Sequence, residues 1–539
     1  MSFASPFPPV SIPDVSVFDY VFGPAGELAG AERTAFIDAS TGERVDFRSL
    51  HDRVLAAAGA LAALGIAPGA VVALHAPNSP EFGVAFHAIL RAGAAVTTIP
   101  VLATAGDIAR QLRASGAVAL IADPAVAGAA LPGAAAVGLP ETRVILLGQR
   151  DATSEPGAGP ARLSELSALG HLPPEVTIDP ATHIAALPYS SGTTGTPKGV
   201  RLSHRNLVAN LAQIERDFGV DQDEVFVAVL PFFHIYGMTV LLNLSLRLRT
   251  TLVTLPRFDL TAFLDALAEH HVTWAFIAPP IAVALAKHPI VDQYNLSELR
   301  VVFSGAAPLD GELGRAVENR LGVTMVQGYG MSEMSPVSHF IPVGATDVPC
   351  ESVGFAAPNT ENKLLDPVTG EEIELPEDGV SERGELCVKG PNIMLGYLND
   401  TAATDAMIDA DGFLHTGDVA TVDPRGVVTI VDRIKELIKY KGYQVAPAEL
   451  EALLLTHPSI ADAAVIGVLD EEGEEVPKAF VVRQPSAELT AHQVVEFVAA
   501  NVAPYKKVRR VEFLDAVPKS TSGKILRREL RDRERGAHA

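Results

Sequence analysis

The sequence predicts an α/β protein: a large N-terminal domain of α/β layers, a β-rich subdomain from about residue 350, and a small α+β C-terminal domain. Three observations predict it. Strand-like apolar runs alternate with helix-like segments through most of the chain, the rhythm of helices layered on largely parallel sheets. After about residue 350 the texture changes to short strands separated by glycine and acidic turns. The last hundred or so residues then start again with a helix. A chain of 539 residues exceeds what one hydrophobic core organises, so several units are expected.

In chain order, "AVVALHA" (70–76) reads as a strand and "SPEFGVAFHAILRAG" (79–93) as its helix. "VAVLPFF" (227–233) and "TVLLNLSLRLR" (239–249) repeat the pair, as do "LRVVFSGAAPL" (299–309) and "DGELGRAVENRLG" (310–322). "ENKLLDPVTG" (361–370), "GELCVKG" (384–390) and "GVVTIVDR" (426–433) are the short strands of the β-rich part. The C-terminal unit opens near "VDRIKELIK" (431–439). Its first helix, "APAELEALLLTHPSI" (446–460), has a proline early and Leu450, Leu453 and Leu454 at helical spacing. Strands "DAAVIGVLD" and "KAFVVRQ" and helix "AHQVVEFVAANV" complete it. No internal repeat is present.

A formal net charge of −23 argues against nucleic acid or an anionic membrane surface as partner. An anionic substrate then needs a local basic site, and two stretches offer one: "DRIKELIKYKGYQ" from Asp432, and "YKKVRR" with "KSTSGKILRRELRDR" near the C-terminus. The two cysteines, Cys350 and Cys387, lie far apart without metal-ligand spacing, which argues against a disulfide or zinc site and for a reducing compartment. The first 32 residues hold no lysine or arginine, so a secretory signal is not expected. The longest apolar run, "VTWAFIAPPIAVALA", is too short for a membrane span and is broken by Pro279 and Pro280. A cytoplasmic protein without stable membrane insertion is expected.

The stretch "YSSGTTGTPKGV" (189–200) has no apolar periodicity, so it does not read as an element with a buried face. It follows "HIAALP" and precedes "SHRNLVANLAQIERDF", where Leu207, Leu211 and Ile214 fall at helical spacing behind Ser203, a candidate N-cap. A strand, a glycine–hydroxyl loop and a helix form a setting in which backbone N–H groups surround a phosphate. The glycines admit a close approach, the hydroxyls donate and Lys198 supplies charge. The spacing of Gly192, Gly195 and Gly199 is not that of a Walker A loop.

This stretch resembles the phosphate-binding motif of the adenylate-forming superfamily of acyl-CoA synthetases, adenylation domains and luciferases. Further matching stretches follow in family order: "PFFHIYG" at 231, "SGAAPL" at 304, "QGYGMSEMSPV" at 327, "FLHTGD" at 413, "DRIKELIKYKGYQVAPAELE" at 432 and "KSTSGKILRREL" at 519. The series spans essentially the whole chain and is most similar to the 4-coumarate–CoA ligase branch. The resemblance implies that a carboxylate attacks the α-phosphorus of ATP to give acyl-AMP and pyrophosphate, after which a thiol displaces AMP. It also implies a mobile C-terminal domain that presents a different face in each step. The implied boundaries are 1–432 for the N-terminal adenylation domain, 433–436 for the hinge and 437–539 for the mobile domain.

Carried onto this chain, the resemblance implies that Ser190, Ser191, Gly192, Thr193, Thr194 and Lys198 hold ATP. Glu333, a hard oxygen ligand beside Ser332, suits Mg²⁺ on the phosphates. Gln327 and Gly328 lead to Tyr329, an adenine platform, while Asp418 accepts the ribose hydroxyls with help from Arg433. Lys524 is the expected catalytic ammonium, stabilising charge as the carboxylate bonds to phosphorus. His234 lines the path between acyl group and thiol. Lys435 is the hinge residue, Lys439 and Gln444 approach the site through the C-terminal domain, and Lys441 and Gly442 line the CoA tunnel. Arg257 faces a CoA phosphate. Substrates and cofactors are thus a carboxylic acid, ATP, Mg²⁺ and CoA.

The acyl pocket is expected at Tyr236, Val240, Phe303, Ala306, Gly328 and Phe340. Plant hydroxycinnamate ligases carry serine and lysine where Val240 and Phe303 stand, so a strict preference for 4-coumarate is not implied. The expected function is an ATP-dependent acid–CoA ligase for cinnamate- or 4-coumarate-type aryl acids. The alternatives are a medium-chain fatty acyl-CoA synthetase, a ligase loading a carrier-protein thiol, a luciferase-like oxygenase, and a nucleotide-binding regulator without catalysis. Intact Lys524 and Glu333 disfavour the last.

Overall fold

The computed structural model describes residues 2–23, 28, 30–149, 159–190, 197–440, 443–470, 475–485, 487–520 and 523–537. Two largely parallel sheets organise the N-terminal part. One has the order Leu202–Ser203, Ile184–Ala186, Ala95–Thr98, Val71–His75, Ala119–Ala122, Val144–Leu146 and Ala161–Arg162. The other runs from Phe355–Ala356 through Val337–Phe340, Thr324–Gly330, Val301–Ser304, Trp274–Ile277, Val225–Ala228, Thr251–Thr254 and Thr34–Asp38 to Arg44–Asp46. Its interior pairs are parallel and its outermost pairs antiparallel. Trp274–Ile277 and Val301–Ser304 are buried at every position, which is why they read as continuous apolar runs rather than alternating ones.

The helices start where local chemistry starts them. Ser79 Oγ accepts the Phe82 N–H with Pro80 at the first position of helix Pro80–Arg91, and Asp310 caps Gly311–Leu321. Ser203 caps His204–Glu215 as expected, and Leu207, Leu211 and Ile214 are buried beneath it. The segment 239–249 departs from expectation. Residues Gly237–Asn243 form a π-helical stretch that continues as α-helix Leu244–Leu248, so the helical periodicity is widened where the chain passes the acyl-pocket position Val240.

The β-rich part is an antiparallel sheet of Glu361–Leu365, Gly384–Lys389, Leu414–Val422 and Val428–Arg433. Its far edge is not local: Phe3–Ala4 pairs with Glu361–Leu365, a contact the texture of the sequence does not reveal. The C-terminal unit comprises hairpin Ile438–Tyr440/Tyr443–Val445, helix Pro447–Thr456, strands Ile460–Leu469, Glu475–Arg483 and Arg510–Phe513, and helices Ala491–Asn501 and Arg527–Ala537. Leu450 and Leu454 enter its own core with Val465, Val481 and Val498. Among the described residues, no helix is long and apolar enough to cross a membrane.

Candidate active site

In open α/β sheets, ligand crevices form beyond the carboxyl ends of the strands. Three such ends converge here: Val225–Ala228 leads to His234, Val301–Ser304 leads to Ala306, and Thr324–Gly330 carries Tyr329 as its last residue but one. The antiparallel sheet supplies the opposite wall. Asp418 and Arg433 are register partners on neighbouring strands, and Arg433 Nε lies 3.2 Å from Asp418 Oδ1. The Tyr329 hydroxyl donates to Asp418 Oδ2 at 2.6 Å. Burial, then the Asp418 charge, holds the Tyr329 hydroxyl well above the ordinary phenol range, so it remains a donor. Asp418 is thus a buried, oriented carboxylate with one donor on each oxygen and acceptor capacity left over.

Glu333 is only 3% exposed. Ser190 Oγ and Tyr397 OH each donate to its Oε1 at 2.8 Å, and Oε2 takes neither bond. Its backbone is fixed from both sides: Met394 N–H donates to the Glu333 carbonyl, and Asn392 Nδ2 donates to the Met334 carbonyl at 2.7 Å. A carboxylate held this way by neutral donors leaves one hard oxygen for a ligand, the donor chemistry Mg²⁺ selects.

The C-terminal unit docks on helix Pro279–Lys287 at both of its ends. Lys287 Nζ donates to the Leu455 carbonyl at 2.7 Å. At the other end Gly523 presses on the N-terminal part: a Cβ there would lie 3.1 Å from Ala278 Cβ and 3.4 Å from Pro280 Cδ. This docking carries Lys524 into the cleft. Burial, and next the charge of Arg433, lowers its ammonium to about 8, while Asp418 and Glu333 act in the opposite direction. Burial and the Lys524 charge together hold His234 down to about 4, so the imidazole is neutral near pH 7. His234 Nδ1 accepts the Tyr236 N–H at 3.3 Å, which assigns the ring proton to Nε2.

Gly523 has φ +83, a region where an L side chain costs about 1–2 kcal/mol. Gly523→Ala combines that strain with the Ala278 contact. It is expected to slow ATP–pyrophosphate exchange by about 5–30-fold while sparing thioester formation from supplied acyl-AMP. Equal loss in both assays would show that the docked contact does not matter to adenylation.

The acyl-pocket residues are only partly brought together. Phe303 packs between Phe218 and Phe276, with ring centroids 5.0 and 5.4 Å away. Its Cζ would lie 2.7 Å from a Cβ at position 328, so Gly328 leaves the room that this ring fills. Phe340 meets the same Phe218 edge-on at 5.0 Å and stacks on Phe7 at 5.4 Å. Val240 is fully buried. The Tyr236 hydroxyl donates to the Phe303 carbonyl at 3.4 Å, which ties the one polar group of this wall to the backbone. Ala306 differs: it sits on an exposed turn with φ +71 at the mouth rather than in the apolar wall.

Other expected residues find different surroundings. The Gln327 amide is spent on the backbone, accepting from Leu309 N–H at 3.0 Å and donating to the Leu309 and Cys350 carbonyls, so its side chain supports the strand. Ser332 begins the short helix Ser332–Met334 that presents Glu333. Arg257 lines a surface cleft with Ser40, Asp259, Asp265, Glu269 and Tyr294, and three carboxylates beside it make a poor phosphate site. Lys435 is exposed in the turn after Arg433. Lys439 and Gln444 face each other across a hairpin, and among the described residues no contact brings them to the cleft. Ser191, Gly192, Thr193, Thr194, Lys441 and Gly442 lie outside the described residues. The flanks of the glycine–hydroxyl stretch form a ribbon, Tyr189–Ser190 against Lys198–Gly199, where no paired element was expected.

Sequence reasoning misses two residues in this neighbourhood. Tyr397 bonds Glu333 and also lies under Lys198, whose Nζ is 5.1 Å from the ring centroid; Asp400 takes the same lysine at 3.1 Å. The signal was an aromatic residue and an acid in the polar loop "LGYLND", which composition alone does not single out.

Fold and cleft together define an adenylate-forming enzyme, with oriented carboxylates on one wall and a lysine delivered by a separate unit. The chain matches the model of the AMP-binding enzyme family over residues 27–398 and that of the AMP-binding enzyme C-terminal domain over residues 449–524. It is 41% identical over 542 residues to 4-coumarate–CoA ligase 5 of Oryza sativa subsp. japonica, covering 98% of this chain and 96% of that one. ATP-bound MatB from Rhodopseudomonas palustris matches with a TM-score of 0.85 at 29% identity, over 98% of this chain and 100% of that chain. A benzoate CoA ligase from Burkholderia xenovorans LB400 gives 0.83 at 27%, over 96% and 100%. The chain belongs to the AMP-binding enzyme family; within it, it is an ATP-binding, AMP-forming acid–CoA ligase.

Proposed function

We propose that the enzyme ligates aryl acids of the cinnamate and 4-coumarate type to CoA. The observation that carries this reading is the apolar wall of Val240, Phe303 and Phe340, buried, with Phe303 tilted and Phe340 edge-on against the same Phe218 ring, an aromatic lining that suits a flat aromatic acid. The likeness to 4-coumarate–CoA ligases over the full chain supports it. A carboxylate oxygen of the acid bonds to the α-phosphorus of ATP as the bond to pyrophosphate breaks. Lys524 stabilises the charge gathering between the two anions. Asp418, oriented by Tyr329 and Arg433, accepts from the ribose. Glu333 with Ser190 would hold Mg²⁺, which neutralises phosphate charge when bound. The CoA sulfur then attacks the acyl carbon and AMP leaves, with neutral His234 beside that path.

The experiment is acid-dependent AMP release with free CoA across a panel of acids. Stoichiometric AMP and thioester from an aryl acid with CoA alone supports the reading. A requirement for a carrier protein, or oxygen uptake with acyl-AMP, would replace it.

The hinge is proposed at 433–436, with the mobile unit at 437–539. Glu436 and Leu437 N–H groups both donate to the Arg433 carbonyl, at 2.9 and 3.1 Å, and Ile434 N–H donates to Gly417. Asp432 links the two sides: its Oδ2 accepts the Ala448 N–H at 2.9 Å, at the start of the first C-terminal helix. Proline at 435 would push Ile434 out of the helical region and break this turn. Lys435→Pro is therefore expected to lower adenylation as well as ligation, through about 1–3 kcal/mol of local strain. Pyrophosphate exchange at the full wild-type rate would show that the docked state does not use the turn.

A further inference from the structure

A second cluster of reactive side chains lies outside the catalytic cleft, on the face of the antiparallel sheet opposite its core. Leu364, Leu386, Val388 and Leu414 point into that core. The alternate positions form a row across three strands: Lys363 pairs with Cys387, and Cys387 pairs with His415. Glu385, two residues before Cys387, shares its face, and a register shift between them draws the carboxylate toward His415. Cys387 Sγ lies 3.6 Å from His415 Nδ1, and Glu385 Oε2 lies 3.1 Å from the same nitrogen. One ring nitrogen therefore faces a thiol and a carboxylate together, more than a single N–H or lone pair serves well.

These separations match a metal's coordination shell. A tetrahedral zinc ion with the usual bond lengths places sulfur and nitrogen ligands about 3.5 Å apart, and nitrogen and oxygen ligands about 3.4 Å apart. The surroundings fit as well. Glu385 Oε1 is anchored by the Gly417 N–H at 3.0 Å, which leaves Oε2 to ligate. Asp409 Oδ2 stands 3.7 Å from His415 Nε2, close enough to take that N–H as an outer partner once Nδ1 binds an ion. Lys363, the one cation in the row, is neutralised by Asp409 at 2.8 Å. Cys387 is a free, fully buried thiol, while His415 and Glu385 reach the surface, giving an ion a way in.

We propose that Cys387, His415 and Glu385 form a site for a borderline-soft divalent cation of the zinc class, with water as the fourth ligand. Binding forms a metal–sulfur bond and releases the thiol proton to solvent. Thiolate and imidazole ligands set this site apart from the all-oxygen chemistry of Glu333 and exclude Mg²⁺. The ion joins strand Gly384–Lys389 to the strand that carries Asp418, three residues beyond His415. Cysteine spacing argues against zinc because it looks for paired thiols; here one thiol meets a histidine that strand pairing brings from 28 residues away and a glutamate two residues before it on its own strand.

The test is titration of the metal-free, full-length protein with Co²⁺, read by the thiolate-to-cobalt charge-transfer absorption. The expected result is one site per chain, displaced by Zn²⁺ but not by Mg²⁺, lost in Cys387→Ser and retained in Cys350→Ser. Asp409→Asn is expected to weaken Zn²⁺ binding about 10–100-fold. Glu385→Gln, which keeps the side chain's shape, should weaken it too and guards against a misfolded cysteine variant. No absorption at saturating Co²⁺, absorption surviving in Cys387→Ser, or displacement by Mg²⁺ would overturn the proposal.

Discussion

Lys524→Ala is expected to cut acyl-AMP formation about 10²–10³-fold, the usual cost of removing one placed charge-stabilising donor. The same variant should still convert supplied acyl-AMP and CoA to thioester. The expectation rests on where the residue sits: the C-terminal unit, with Gly523 against Ala278 and Pro280, brings Lys524 into the electrostatic reach of Asp418, Glu333 and His234. The same burial gives a pH signature. With the ammonium lowered to about 8, Lys524 is charged below that pH and loses its charge as pH rises through it. The kcat/KM of adenylation, which reports the free enzyme, should therefore fall on an alkaline limb near pH 8. ATP adds negative charge beside Arg433 and Lys524, so the limb in kcat should lie higher. Lys524→Ala should abolish the limb. Equal losses in both half-reactions, or a limb that survives the substitution, would contradict this role.

Glu333→Gln is the second large effect. Glutamine keeps an oxygen that Ser190 and Tyr397 can hydrogen-bond and keeps the volume, but removes the buried charge. Pyrophosphate exchange is expected to fall about 10²-fold or more, with a steeper dependence on Mg²⁺ concentration. The measurement is exchange rate against Mg²⁺ at fixed ATP. An unchanged Mg²⁺ dependence would move the metal elsewhere. A parallel loss of thermal stability would make Glu333 chiefly a structural acceptor for its two hydroxyl donors.

The layered architecture was legible because buried parallel strands and capped helices carry their signals within a few residues. Ser203 and its three apolar partners behaved as expected, and so did the runs around Val71, Val301 and Val465. What escaped depends on long-range contact. Tyr397 reaches Glu333 across 64 residues, and Phe3 joins a sheet whose partner is Asn362. The π-helical stretch Gly237–Asn243 escaped for another reason: its residues are buried all round, so no one-sided periodicity distinguishes it from an α-helix. In the site, the resemblance pointed to Asp418, Glu333 and Lys524, whose surroundings suit the roles expected of them. It gave less guidance for Gln327 and Arg257, whose neighbours engage or oppose them.

Whether the enzyme selects aryl acids is decided by kcat/KM for cinnamate, 4-coumarate and octanoate. Val240, Phe303 and Phe340 form an apolar wall, and Tyr236 already donates to a backbone carbonyl. An apolar pocket rejects an added hydroxyl by about 10² at most. Cinnamate should therefore be used at least as well as 4-coumarate, with both accepted. Val240→Ser should shift the ratio toward 4-coumarate by one hydrogen bond, about 0.5–1.5 kcal/mol. Both aryl acids should exceed octanoate. Octanoate exceeding both by tenfold or more, about 1.4 kcal/mol in transition-state binding, would contradict selection of aryl acids.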